Sequence, residues 1–108
     1  MDWKIEYYSE TVQHEILMLP AGLLARYIHL TDRMIGFGPN LGMPHTGSMD
    51  KGLFELRLKA AEGIARVFFF ARQRQSIVML HQFVKKSQKT PPKEIMIARR
   101  RMKEMQNA

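Results

Sequence analysis

The spacing of apolar and polar positions changes period several times along the chain, and each change marks an element. In "DWKIEYY", Trp3, Ile5 and Tyr7 alternate with Lys4 and Glu6, the two-residue period of a strand. Ser9 stands where an N-cap belongs, ahead of Val12, Ile16 and Leu19 at helical spacing. Pro20 and Gly22 interrupt that helix. A second stripe follows in Leu23, Tyr27, Leu30 and Met34, with Leu24, Ile28 and Ile35 beside it, so the two segments predict a helical hairpin.

"GFGPNLGMPHTGSMDKG" is too rich in Gly and Pro for regular structure and reads as a long surface loop, a kind of segment that often carries function. Three strands follow at about 53–59, 64–71 and 76–83. Their connections, "AAEG" and "RQRQ", are short enough to force antiparallel neighbours. "VKKSQKTPP" then leaves the sheet. Thr90 is placed to cap a last helix with Pro91 in its first position, and Ile95, Ala98, Met102 and Met105 form its apolar stripe. Arg99, Arg100, Arg101 and Lys103 fall largely outside that stripe. The order β-α-α-β-β-β-α predicts an α+β domain with a helical pair on one face of an antiparallel sheet. At 108 residues, one domain spanning 1–108 is expected.

Within the strands, three cations break the apolar pattern. Alternation puts Phe54, Leu56 and Leu58 on one face and Glu55, Arg57 and Lys59 on the other, opposite the core covered by the hairpin. Arg66 lies near the start of the next strand. The third strand brings His81 near its end, with Lys85 and Lys86 just beyond. Cations from three adjacent strands then converge on one patch, an arrangement suited to a phosphate: Arg offers a rigid fork and Lys a mobile point charge. The bland alternative pairs Arg57 with Glu55 or Glu62 and lets Arg66 reach solvent. His81 suits acid–base work by its ordinary pKa, although a lone strand histidine is commonly a satisfied, half-buried side chain. His45, on the long loop, is a second candidate for contact with substrate, whereas His14 and His29 sit on helices and read as structural.

Charge sharpens this picture. The net charge is +7, and residues 85–108 hold eight Lys/Arg against two Asp/Glu, leaving the rest of the chain close to neutral. A basic C-terminal quarter is the footprint of a polyanion partner, against the alternative of a solvated helix face. There is no cysteine, which excludes disulfides and zinc–thiolate sites. No spacing resembles HExxH or an EF-hand, and "GFGPNLG" lacks the preceding strand and the lysine of a phosphate loop. Neither metal nor cofactor is expected. No apolar run reaches the length of a membrane span and the N-terminus has no signal-peptide pattern, so no membrane association and a cytoplasmic location are expected. RNA is a substrate open to metal-free chemistry, because its 2′-hydroxyl can attack the adjacent phosphodiester once a base removes its proton.

"LPAGLLARYIHL", "FGPNLGMPHT", "GLFELRLKA", "GIARVFFF", "IVMLHQFVKKSQKTPPKEI" and "ARRRM" together resemble the HigB-like branch of the RelE/ParE toxin superfamily, whose members also occur in phages. The similarity runs from about residue 18 to 101. It implies the RelE fold and the toxin half of a type II toxin–antitoxin pair: a ribosome-dependent mRNA endoribonuclease that inhibits translation. It also implies a small helix-turn-helix antitoxin (HigA-like) as partner, the ribosome and mRNA as targets, and operator DNA reached through the toxin–antitoxin complex. The family's functional positions carry over to Arg57, Arg66, Lys85 and Lys86, and less directly to His81 and Lys89. Lys59, His45, Arg99 and Arg100 complete the expected substrate contacts. The chain departs from the pattern at Ala65, where many relatives have an aromatic, and lacks a tyrosine in its C-terminal quarter, which leaves Phe83 or His81 to stack on a base. Two other outcomes fit the same fold: a ParE-like gyrase inhibitor and a phage protein that has lost toxicity.

Overall fold

A computed structural model of the protein describes residues 2–86 and 89–107. Its elements are β1 (Lys4–Tyr7), α1 (Glu10–Leu17), α2 (Ala21–Phe37), β2 (Thr46–Ser48), β3 (Phe54–Ala60), β4 (Gly63–Arg72), β5 (Ser76–Lys85) and α3 (Pro92–Gln106). The five strands form one sheet in the order β1-β5-β4-β3-β2.

Three features differ from the sequence expectation. The sheet is mixed, because β1 runs parallel to β5. No hairpin joins these two strands, so no short connection dictates their direction. The Gly/Pro-rich segment also contains β2, three residues that pair antiparallel with β3. "TGS" carries no strand pattern of its own, and pairing with β3 makes it a strand. The last helix begins one residue later than expected, with Pro91 at the N-cap and Pro92 in the first turn. Of the exit from the sheet, residues 87 and 88 lie outside the described residues.

The two helices of the hairpin start by different means. Ser9 Oγ accepts the Val12 N–H at 3.2 Å, the expected cap of α1. Pro20 offers α2 no side-chain cap. Instead Glu62, from the β3–β4 turn, accepts the Gly22 N–H at 2.8 Å and lays its carboxylate on the positive end of the helix. Glu62 is thereby committed to α2 and not to Arg57.

Each sheet face has its own core. The hairpin buries Leu23, Tyr27, Leu30 and Met34 against Leu56, Leu58, Val67, Phe69, Ile77 and Met79. On the other face α3 packs Ala98 and Met102 over Leu53, Phe68, Phe70, Val78 and Leu80. Polar contacts pin α3 there. Arg101 donates to the Leu80 carbonyl at 2.8 Å and lies over the Tyr8 ring, while Tyr8 donates to Glu104. Arg99 donates to the carbonyls of Met49 and Asp50 in the β2–β3 loop.

Candidate functional site

A bulge in β5 assembles the site. Phe68 pairs with His81, but Phe69 pairs with Met79, so Leu80 is the extra residue. Beyond it the alternation of β5 is inverted. Without the bulge His81, Phe83 and Lys85 would share the face of Met79, against the hairpin. With it they lie on the α3 face beside Phe68, Arg66 and Ile64, their partners in register.

On this face Arg57 and Arg66 stand directly opposite each other across β3 and β4. Two like charges in that position repel. Glu55, one pleat earlier in β3 and buried, lies between them. Its Oε2 accepts from Arg57 Nε and Nη2 at 3.3 and 3.1 Å. Its Oε1 is 3.0 Å from Arg66 Nε, an ion contact off hydrogen-bond alignment. Arg66 Nη1 also donates to the Ala65 carbonyl at 3.3 Å. One carboxylate thus anchors two guanidinium groups and neutralises only one.

Gly47 in β2 makes room for this pose. A Cβ there would lie 2.8 Å from Arg57 Nη2. Burial pushes the Arg66 pKa down from its ordinary value; the carboxylate of Glu55 opposes this and the charge of Arg57 adds to it. Lys85 is also held below the usual lysine value, first by burial and then by the charge of Arg66. The pairing of Arg57 with Glu55, the bland alternative, is therefore present, but Arg66 joins the same carboxylate and does not simply reach for solvent.

His81 is tied to α3. Its Nε2 lies 3.2 Å from Glu94 Oε1, and its Nδ1 faces Arg101 Nη1 at 3.5 Å. The His81 ring forms a stacked group with Phe68 and Phe83, with centroids 5.8 to 6.4 Å apart. Phe83, opposite Arg66, offers an aromatic surface beside the cations. Ala65 is fully buried in the hairpin-side core, so the departure at that position falls on the face away from the cations.

The remaining candidates separate. Lys86 and Lys89 are exposed, on either side of the segment that leaves the sheet. Lys59 lines a cavity of about 270 Å³ at the edge of β3, together with Arg26, Pro44, His45, Arg57, Leu58, Ile64 and Arg66. Arg99 is occupied in holding the β2–β3 loop, and Arg100 is exposed on α3. Arg26, Gly47 and the shared role of Glu55 were not evident in the sequence: a lone Arg on a helix, a Gly in a loop and a Glu in a strand carry no distinguishing signal. Among the described residues no group of His, Asp or Glu side chains is placed to hold a metal ion. Nor is any described helix long and apolar enough to cross a membrane.

The family model described as "Phage derived protein Gp49-like (DUF891)" matches residues 14–103. The chain belongs to this family. The architecture of this Gp49-like protein is similar to that of a chain in the crystal structure of the archaeal RelE–RelB complex from Pyrococcus horikoshii OT3. The TM-score is 0.52 at 15% identity, over 80% of this chain and 98% of that one. The fold is therefore RelE-like, as the resemblance implied. No curated protein matches the sequence.

Proposed function

We propose that this Gp49-like protein is the toxin of a type II toxin–antitoxin pair, a HigB-like endoribonuclease that cuts mRNA on the ribosome. The observation that carries this reading is the pair Arg57 and Arg66, fixed by one carboxylate and flanked by Lys85, on the open part of a RelE-like sheet. In this reading the two guanidinium groups bind the scissile phosphate and stabilise its extra charge in the transition state. Lys85, whose pKa is lowered by burial and by the charge of Arg66, acts as the neutral amine that takes the proton of the 2′-hydroxyl. The 2′-oxygen attacks phosphorus, the bond to the 5′-oxygen breaks, and that oxygen takes a proton from the ammonium form of Lys85 as it leaves. The products are a 2′,3′-cyclic phosphate and a 5′-hydroxyl, and no metal is required. His81, engaged by Glu94 and Arg101, positions Phe83 for stacking on a base.

The partner in this reading is an antitoxin of the helix-turn-helix type; the archaeal RelE is likewise seen in complex with a second protein, RelB. The pair would bring the toxin to operator DNA as corepressor. The test is induction in growing cells with primer extension on a reporter message, comparing wild type with Arg57→Ala/Arg66→Ala. Arrest with in-frame cuts that vanish in the variant is the expected result. Arrest without cuts points to gyrase, and no arrest from folded protein points to a phage protein that has lost toxicity.

A further inference from the structure

The cavity at the edge of β3 gathers cations beyond the Arg57 and Arg66 pair. β2 covers only residues 54–56 of β3. Beyond them the strand edge is open, and Arg26 from α2 and His45 from the loop close around it. Among the described residues four cations line the cavity, Arg26, Arg57, Lys59 and Arg66, and no carboxylate does. Glu55, outside the lining, offsets one of those charges. Pro44 and Ile64 supply apolar wall. About 270 Å³ exceeds what a bare phosphate needs and sits at the small end of ligand clefts.

His45 is fixed to the catalytic strand through its backbone. Its carbonyl accepts the Arg57 N–H at 2.8 Å, and its own N–H donates to the Gly42 carbonyl at 3.0 Å. The backbone of His45 therefore keeps station with Arg57, and its side chain lines the cavity.

We propose that this cavity is a subsite for one ribonucleotide next to the cut, with its phosphate held by Arg26, Lys59 and His45 and its nucleoside laid on Pro44 and Ile64. The assignment rests on the RNA-cleaving reading and gives it a position where a nucleotide is gripped as well as cut. The groups around His45 are Arg26, His29 and Arg33 on α2, Arg57 and Lys59 on β3, and Arg66 on β4. Burial lowers the His45 pKa from the usual histidine value, followed by the charges of Arg33 and Arg26. A phosphate dianion seated in the cavity opposes those cations and raises it again.

The test is a titration of labelled protein with adenosine 3′-monophosphate, adenosine and inorganic phosphate, following the His45 ring and the Arg26 side chain by NMR. The nucleotide is expected to shift both signals, to raise the His45 pKa and to bind at least ~10-fold more tightly than phosphate or adenosine alone. Arg26→Gln and His45→Gln, each checked for an intact spectrum, should each weaken the nucleotide several-fold. Arg72→Gln, at the far end of β4, should leave it unchanged. Shifts confined to Arg66 and Lys85, or equal affinity for phosphate and nucleotide, would overturn the subsite. Because the titration does not require cleavage, a protein that binds the nucleotide here yet cuts no message keeps the subsite and loses the nuclease.

Discussion

The two faces of the sheet are put to different use. The hairpin side is covered by α1 and α2, and its strands present an uninterrupted apolar set from Leu56 to Met79. The α3 side is divided. Its half nearest Phe70 and Val78 is apolar and lies under Ala98 and Met102, whereas the half around Arg57, Arg66 and Lys85 is cationic and centred on one buried carboxylate. A single covering helix leaves part of a sheet face uncovered, and that part can hold charge because water and a polyanion can reach it. The fold thus draws its stability mainly from one face and leaves part of the other charged.

The comparison can be tested by substitution on either side. The largest effect is expected at Phe69, fully buried and stacked on Phe54 at 5.7 Å. Phe69→Ala should cost about 3–5 kcal/mol of stability through the lost burial and the cavity left behind, measured by urea unfolding. Next is Glu55→Ala, which removes the carboxylate between two opposed arginines. A fully buried pair broken on one side loses ~3–5 kcal/mol. Arg57 retains 30% of its side-chain exposure, so water compensates in part and a loss of about 2 kcal/mol is expected. Activity should fall as well, since neither guanidinium is then held. The smallest effect on stability belongs to Gly47→Ala. The new methyl meets the mobile end of Arg57, so unfolding should change by less than ~0.5 kcal/mol, the usual range for surface substitutions. Cleavage should drop roughly 10-fold, the equivalent of one displaced contact. A large loss of stability with normal cleavage would show that Gly47 serves the fold and not the pose of Arg57.

What the chain by itself determined is most of the scaffold. Helical and strand periods placed the hairpin, the three long strands and the last helix, because each buries one continuous apolar stripe and so writes its period into the sequence. The alternation in β3 also put Arg57 and Lys59 on the face away from the hairpin. Tertiary structure alone decided the rest. β2 is a strand only by pairing with β3, and the long stretch of chain between β1 and β5 leaves their parallel direction to packing. Glu62 went to the N-terminus of α2 and Glu55 to both arginines, a choice between two equally plausible partners that depends on distance in space. The deciding event was the bulge at Leu80. One extra residue inverts the alternation of β5 and carries His81, Phe83 and Lys85 to the cation face. A period-2 pattern contains no mark of where it will slip, because the slip is set by how β4 and β5 pack against the helices on both sides.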